Sequence, residues 1–324
     1  MRIITLEDHF ITPKIKKLTE RGSVVSPWHS YRGQQFGFDI GAMLEDLGEQ
    51  RIAWMDKAGI DLQVVSLANP GTHGFEGELA IKIATEANER LYRAVQAYPG
   101  RLAGFAGLPT AVPDAAVREL ERCVREFGFK GALFNSHING VFLDDRKYWP
   151  VFECAEALEV PIYLHPTTPH AGLMNSYFAG YEELARPAWG FAIDASCHFL
   201  RLMLAGVFDA FPRLKIIMGH LGEGLPFGMH RLNDHLLPFL ERRRLRKTPI
   251  EYLRENLVIT TSGNFYVPAL LCSLLALGSD NIMFSVDWPM ESNQIAVDFL
   301  CALPISEDDR HKIAHANAER LLRV

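Results

Sequence analysis

The chain is 324 residues long, 48% hydrophobic and 22% charged, which is the balance of a globular protein with a sizeable core and excludes a disordered chain. Its formal net charge is −6, and its single dense basic run, residues 242–247, follows an apolar helix-like segment. We interpret that run as a solvated helix end and expect no nucleic-acid partner.

Eight short apolar runs alternate with segments of helical spacing. The runs are residues 3–9, 62–67, 102–108, 131–135, 161–165, 214–220, 257–262 and 282–287. Apolar residues recur every three or four positions in most of the segments that follow them, including 78–98, 114–127, 268–277 and 307–322. This alternation indicates a parallel sheet whose strands are covered on both faces. Eight strands predict an α/β fold closed into a (β/α)₈ TIM barrel.

No internal repeat, low-complexity tract or Pro/Gly/Ser-rich linker divides the chain. Although the length would also permit two domains, we therefore predict one domain over residues 1–324. Two longer irregular stretches, 21–38 and 167–189, follow the first and fifth runs. We expect both to lie over the mouth of the barrel, where substrate is recognised.

The cysteine pattern and the N-terminus bear on location. The five cysteines are scattered and include no Cys-x-x-Cys pair, so we expect reduced thiols. The N-terminus turns acidic at Glu7, too early for the apolar core of a signal peptide, and no later apolar run reaches membrane-spanning length. We expect a cytoplasmic protein with no membrane association.

Side chains that can bind metal occur at the ends of several predicted strands. Glu7 and His9 are two residues apart, so both can point into the barrel, and His165 and Asp287 end the fifth and eighth runs. Two carboxylates and two imidazoles suit Zn²⁺ or Mn²⁺ and leave room for water or substrate. Any one of them alone could be structural. Together, on the face that holds the active site in such barrels, they predict a catalytic metal centre.

His220 ends the sixth run and is followed by Glu223. A carboxylate bonded to one imidazole nitrogen fixes the tautomer and raises the basicity of the ring. The pair is therefore a candidate acid–base unit. Two alternatives for His220 stay open, a further metal ligand and a polar residue packed in a turn.

Short motifs spread over nearly the whole chain carry a family resemblance. They are residues 6–10 (LEDHF), 55–60 (MDKAGI), 127–132 (FGFKGA), 163–166 (YLHP), 198–203 (HFLRLM), 219–224 (GHLGEG), 261–265 (TSGNF), 287–289 (DWP) and 317–321 (NAERL). At these positions the chain resembles the metal-dependent aromatic acid decarboxylases of the amidohydrolase superfamily. That group includes the γ-resorcylate, 2,3-dihydroxybenzoate and 5-carboxyvanillate decarboxylases.

The resemblance implies that the two carboxylates and two imidazoles named above bind the metal, with His220 and Glu223 beside them. The first run reads Glu-x-His, where many hydrolases of the superfamily carry His-x-His, and this favours the hydroxybenzoate branch. The fourth run ends at Asn135 and lacks the lysine that bridges two metals in binuclear members. One ion is therefore expected, Zn²⁺ or alternatively Mn²⁺, with no organic cofactor.

The activity that the resemblance implies is non-oxidative decarboxylation of a hydroxylated aromatic acid. The phenolic oxygen and one carboxylate oxygen of the substrate would chelate the ion. Asp287 would protonate the ring carbon that bears the carboxylate, and carbon dioxide would leave as the ring rearomatises. His220, steadied by Glu223, would either position the substrate or keep Asp287 supplied with its proton.

Several residues are candidates for binding the aromatic carboxylate. Arg231 is the main candidate because a guanidinium matches a carboxylate bidentately, and Arg32 is a weaker one; for both, a surface charge is the alternative interpretation. The remaining candidates would contact or line a slot for the ring, and they are Asn135, Trp189, Phe191, Phe10 and Trp288.

Two other functions would use the same side chains. A metal-dependent hydrolase, such as a lactonase or amidohydrolase, would have a metal-activated water attack a carbonyl, with Asp287 as general base. A non-catalytic binding protein on a barrel frame is the third possibility. The family resemblance also implies a homo-oligomer, either a tetramer or a dimer.

Overall fold

The structure is a computed structural model that describes residues 1–19, 37 and 39–324. The predicted mouth-covering stretch 21–38, with Arg32, therefore lies outside the described residues apart from Gly37. The second such stretch, 167–189, is described throughout. It contains short helical turns that sequence spacing did not indicate.

Nine short strands in the described ranges follow one another in parallel. They are β1 (Ile4–Phe10), β2 (Leu62–Leu67), β3 (Leu102–Gly104), β4 (Ala106–Gly107), β5 (Ala132–Asn135), β6 (Ile162–His165), β7 (Ile216–Met218), β8 (Leu257–Thr260) and β9 (Ile282–Met283). They pair in the orders β1-β2-β3 and β4-β5-β6-β7-β8-β9. Because β3 and β4 are two parts of one predicted strand, eight strand positions result, as a (β/α)₈ barrel requires.

Two contacts connect the pieces of the sheet. Phe105, between β3 and β4, donates its N–H to the Val65 carbonyl of β2 at 3.0 Å. At the other end, a parallel bridge pairs Asp8 with Trp288, and the His9 N–H donates to the Trp288 carbonyl at 2.7 Å. The segment that follows β9 is thus joined to β1, and the strand order returns to its start.

Helices follow most of the strands. They are α1 (Pro13–Thr19), α2 (Ile40–Glu45), α3 (Glu49–Ala58), α4 (Gly77–Ala97), α5 (Pro113–Arg125), α6 (Trp149–Ala157), α7 (Ala171–Leu173), α8 (Gly190–Leu204), α9 (Val207–Ala210), α10 (Leu225–Leu236), α11 (Leu240–Arg243), α12 (Pro249–Asn256), α13 (Val267–Leu277), α14 (Asn293–Ala302), α15 (Glu307–His311) and α16 (Asn317–Leu322). None of these described helices combines the length and apolar content needed to cross a bilayer.

Local sequence explains where individual helices start and which face they bury. In α4 the buried residues include Ala80, Ile83, Ala87 and Leu91, whose spacing of three and four places them on one side of the helix. Helix α12 begins at a capping box in which Thr248 and the glutamate three residues later bond to each other's backbone N–H groups. These signals place the apolar faces against the strands.

An apolar layer fills the lower, N-terminal end of the barrel. Its members are Phe105, between β3 and β4, and the strand residues Ile4, Leu6, Leu62, Val64, Ala103, Leu133, Tyr163, Ile217, Val258 and Met283. Ala318 and Leu322 of α16 pack against the same layer. Two residues beyond several of these positions the inward side chains become polar, because alternate residues of a strand share a face. The polar site therefore lies on an apolar floor.

Strand β1 departs from simple alternation. Thr5 pairs with Gln63 and Asp8 pairs with Val65, so β1 advances three residues between these pairs while β2 advances two. This is a β-bulge with one extra residue. Leu6 lies in the inner apolar layer and Glu7, the next residue, also faces the interior. The prediction that Glu7 and His9 share the inner face agrees with the structure, but it depends on a bulge that was not foreseen.

Candidate metal centre

The four predicted ligands come together at the upper end of the barrel. Glu7 and His9 lie in β1, His165 ends β6, and Asp287 follows β9. Each offers one ligand atom, and all four atoms lie within 4.8 Å of one another. Glu7 Oε1 is 3.3 Å from His165 Nε2, and His9 Nε2 is 3.3 Å from Asp287 Oδ1.

Two of these atoms, Glu7 Oε1 and His9 Nε2, are buried, and despite the 3.3 Å contacts neither makes a well-aligned hydrogen bond with any described residue. A buried polar atom without a partner is costly and calls for an explanation. Both atoms belong to the cluster of candidate ligands, and carboxylate oxygen with imidazole nitrogen is a donor set that divalent Zn²⁺ and Mn²⁺ accept. The residues present therefore fit a divalent ion.

The second nitrogen of each imidazole is held by a neighbour. His165 Nδ1 lies 2.6 Å from the Pro166 carbonyl, which can only accept, so Nδ1 carries the proton and the Nε2 lone pair is free. Burial lowers the pKa of His165 to about 4 and keeps the ring neutral. His9 Nδ1 lies 3.1 Å from Ser66 Oγ. Burial would lower the pKa of His9, but the neighbouring carboxylates, Asp287 first and then Glu7 and Asp8, together outweigh it and raise that pKa.

Hydroxyl groups fix the orientation of Glu7. Its Oε2 accepts from the Tyr163 hydroxyl and from Ser262 Oγ, so Oε1 is left for an ion. Burial and the Glu7 charge raise the pKa of Tyr163, which keeps it a neutral donor. Gly219 makes room, since a Cβ there would stand 2.3 Å from Glu7 Oε2. Its φ of −70° suits any residue, so space rather than backbone conformation requires glycine.

His220 and Glu223 lie beside the four ligands, on the turn after β7. His220 Nδ1 is 2.6 Å from Glu223 Oε1, and His220 Nε2 is 3.8 Å from both Glu7 Oε1 and Asp287 Oδ2. His220 is not part of the four-residue ligand cluster. Leu221, Glu223 and His220 all have φ between 53° and 57°, and Asp287 has 76°, backbone strain of the kind found at functional sites.

The charges in this group influence one another. Burial would lower the pKa of His220, but Glu223 and Glu7 outweigh it and raise that pKa well above its ordinary value. Burial would likewise raise the pKa of Asp287, but contacts with His220 and His9 hold it below the usual range. The imidazole of His220, which holds its proton strongly, therefore lies next to the carboxyl of Asp287, which loses its proton easily.

Comparison with known proteins identifies the family. Residues 42–324 match the amidohydrolase family. The γ-resorcylate decarboxylase of Polaromonas sp. (strain JS666 / ATCC BAA-500) is 38% identical over 333 residues, which cover 99% of this chain and 98% of that protein. The chain belongs to the amidohydrolase family.

Solved structures narrow the likeness within that family. A 2,6-dihydroxybenzoate decarboxylase complexed with 2,6-dihydroxybenzoate has a TM-score of 0.91 and 36% identity, with all of both chains covered. The 5-carboxyvanillate decarboxylase of Novosphingobium aromaticivorans DSM 12444, complexed with manganese and 4-hydroxy-3-methoxy-5-nitrobenzoic acid, has a TM-score of 0.92 and 30% identity over 100% of this chain and 96% of that one.

These likenesses confirm the predicted barrel fold and the resemblance to aromatic acid decarboxylases. This amidohydrolase is accordingly a carbon–carbon lyase, and the hydrolase alternative is not favoured. The comparisons also confirm metal dependence. They do not confirm the preference for Zn²⁺ over Mn²⁺, because manganese is the ion named with the neighbouring structure.

The candidate metal centre of this amidohydrolase opens into a cavity. Three of the predicted substrate-binding residues line it, Arg231 from α10, Phe191 from α8 and Trp189 just before α8. Asn135 is only 2% exposed and is not among the described residues that line this cavity. Its predicted contact with substrate finds no support there.

Phe10 and Trp288 were expected to line the ring slot, and the structure places them elsewhere. Both side chains are buried in the apolar core on the outer face of the barrel. The alternation that turns His9 inward turns Phe10 outward, and the same holds for Trp288 next to Asp287. The guanidinium of Arg51 in α3 stacks on the Trp288 ring at 4.2 Å.

Sequence reasoning missed the supporting residues of the site. Tyr163 could have been found, because it lies two residues before His165 and therefore on the same face. Ser262 could have been found by the same argument, because it lies two residues after Thr260, the last residue of β8. Arg51 gave no such signal: it is fully buried and donates to the His9 carbonyl at 2.6 Å, from a helix distant in sequence.

Proposed function

We propose that this amidohydrolase catalyses the metal-dependent, non-oxidative decarboxylation of a hydroxylated aromatic carboxylic acid. The roles that we propose for individual residues rest on one observation. Asp287, at the open end of the barrel, has one carboxylate oxygen 3.3 Å from the candidate ligand His9 and the other 3.8 Å from His220. A single carboxyl group would thus contact both an ion and a proton source.

Four residues would hold the ion, namely Glu7, His9, His165 and Asp287. When bound there, a divalent cation would anchor and polarise the phenolic and carboxylate oxygens of the substrate. Manganese in the 5-carboxyvanillate decarboxylase structure supports Mn²⁺. The two imidazoles suit Zn²⁺ as well, so we propose one ion, with metal analysis of the native protein to identify it.

Asp287 would deliver a proton to the ring carbon that bears the carboxylate. The bond from that carbon to the carboxylate then breaks, its electron pair restores the aromatic ring, and carbon dioxide leaves. Because His220 and His9 lower the pKa of Asp287, its protonated form is a strong acid but scarce. His220, whose pKa Glu223 helps to raise against burial, is the group that would return a proton to Asp287.

The rest of the cavity would hold the ring and orient its substituents. Phe191 and Trp189 offer aromatic surface, and Arg231 offers a guanidinium for an anionic oxygen. The relatives that act on 2,6-dihydroxybenzoate support a 2-hydroxybenzoic acid as the substrate class.

The test is carbon dioxide release from a panel of 2-hydroxybenzoic acids with different ring substituents, starting with 2,6-dihydroxybenzoate and without oxygen or an organic cofactor. Asp287→Asn is expected to lower the rate about 10³-fold, since the proton donor is lost. Asp298→Asn, an exposed aspartate of α14, is the matched control. Hydrolysis of lactones without any decarboxylation would overturn the proposal.

We also propose that the protein acts as a homo-oligomer, a tetramer or dimer, in the cytoplasm. The five cysteines are free thiols, which agrees with a reducing compartment. Light scattering coupled to size-exclusion chromatography measures the number of subunits directly, and a monomeric mass would reject the oligomer.

A further inference from the structure

The bulge in β1 brings two consecutive backbone N–H groups to one acceptor. Leu6 N–H and Glu7 N–H both donate to the Ser285 hydroxyl oxygen, at 3.1 Å and 2.7 Å. In a regular strand consecutive N–H groups point in opposite directions, so one oxygen could not accept from both. The Ser285 side chain therefore belongs to the bulge itself.

Ser285 occupies a place in the barrel where backbone pairing is interrupted. Strand β9 pairs with β8 and ends at Met283, and the described bridge between the segment after β9 and β1 joins Asp8 to Trp288. Between these points, the Ser285 hydroxyl takes the place of a ladder carbonyl. It is fully buried, so no water competes for the two N–H groups.

Ser285 is itself held by the neighbouring strand. Thr261 Oγ1 accepts from the Ser285 N–H and donates to the Ser285 carbonyl, both at 2.9 Å. These bonds fix the Ser285 backbone against the end of β8. The segment that carries Asp287 two residues later is fixed by the same contacts.

We propose that Ser285 is a positioning residue that sets the distance between the Glu7 and Asp287 ligand atoms. Its hydroxyl stabilises the bulge, and the bulge turns Glu7 inward directly after the inward Leu6. Its backbone belongs to the segment that bears Asp287. Ser285 thus connects the two carboxylate ligands without contacting the ion or the substrate. The inference rests on the proposed metal centre.

The test measures Mn²⁺ binding to the full chain by the room-temperature electron paramagnetic resonance signal of free Mn²⁺, well below the unfolding temperature. Ser285→Ala removes the acceptor and is expected to weaken Mn²⁺ binding about tenfold or more. Ser285→Cys keeps a weak acceptor of similar shape and is expected to give an intermediate affinity. Ser273→Ala is the matched control, a buried hydroxyl of α13 that bonds its own helix at 2.9 Å.

A second readout separates positioning from general stability. The visible absorption of the Co²⁺-loaded protein reports ligand geometry and is expected to change in the Ser285 variants but not in Ser273→Ala. A lower unfolding temperature with unchanged Mn²⁺ affinity and Co²⁺ spectrum would overturn the inference. If Ser285→Ala does not fold, wild-type affinity in Ser285→Cys would overturn it equally. Failure of the wild-type chain to bind Mn²⁺ would instead reject the metal centre on which it rests.

Discussion

The candidate metal centre has an inner half and an outer half that are built differently. The inner half, Glu7, His9 and His165, lies on strands, and its side chains are at most 8% exposed. The outer half, His220 and Glu223, lies on a turn with left-handed backbone, where the His220 side chain is 19% exposed. Strands fix distances well, as an ion requires, whereas a turn at the rim gives a proton carrier access to substrate and water.

Because of this difference we expect variants of the two halves to show two different defects. Changes in the inner half should release the ion, whereas changes in the outer half should slow turnover while the ion stays bound. Each variant below is therefore assayed for both Mn²⁺ affinity and decarboxylation of the substrate found in the screen.

The largest effect is expected for Gly219→Ala, which would displace Glu7 of the inner half. The new Cβ would stand 2.3 Å from Glu7 Oε2 and 2.8 Å from Ser262 Oγ, so Glu7 must move. We expect Mn²⁺ affinity and activity each to fall about 100-fold or more. Gly74→Ala is the control, since a Cβ there meets nothing within 4 Å. Normal Mn²⁺ binding in Gly219→Ala would contradict the strict geometry assigned to the inner half.

Next in size is Glu223→Gln in the outer half. Burial lowers the pKa of His220 and Glu223 raises it, so loss of the carboxylate charge should lower that pKa. The rate should fall about 10- to 100-fold, and the decline of activity with rising pH should begin at a lower pH. Mn²⁺ affinity should match that of Glu241→Gln, an exposed control on α11. Release of the ion would erase the distinction between the halves.

Tyr163→Phe is expected to have a moderate effect on the inner half. It removes one of two hydroxyl donors to Glu7 Oε2 and leaves the Ser262 donor in place. Mn²⁺ affinity should drop about tenfold, at the lower end of what the loss of a hydrogen bond to a metal ligand costs. The control, Tyr252→Phe, removes a tyrosine hydroxyl that bonds Asp209 at 2.6 Å away from the site. Equal Mn²⁺ affinity in the two variants would show that Tyr163 does not support Glu7.

The smallest effect is expected for Arg231→Gln. Arg231 lines the cavity but is exposed, so water screens its charge. We expect the KM for the aromatic acid to rise about three- to tenfold with kcat and Mn²⁺ affinity nearly unchanged. Arg118→Gln, an exposed arginine of α5 that does not line the cavity, is the control. A drop in kcat alone would move Arg231 from substrate binding to the chemistry.

Much of the fold was predictable because buried parallel strands are short apolar runs. β2 matches its predicted bounds, 62–67, residue for residue. Other strands were predicted too long: β9 stops at Met283 because Thr261 and Ser285 continue the contacts with side-chain hydroxyls in place of ladder carbonyls. Hydropathy does not distinguish these two kinds of contact. That residues 1–324 form a single domain stays a prediction.

The candidate site, like the fold, has features that could be predicted from the sequence and features that could not. The clustering of the four candidate ligands could be predicted because each is a metal-binding residue type in or just after a predicted strand. The bulge that turns Glu7 inward could not, since it depends on Ser285, far along the chain. Asn135 illustrates the opposite error: it also ends a strand, yet it is buried away from the described cavity lining.

The apolar layer under the site has a consequence for the order of events. Leu322 and Ala318 of α16 pack against that layer, so the lower end of the described barrel is filled and the proposed ion and aromatic acid would both arrive from the upper side. An ion in the proposed centre would then have to enter first, because a bound aromatic ligand would cover it. A chelator should therefore strip the ion quickly from the free protein and slowly from the protein saturated with a non-reacting nitrophenol analogue.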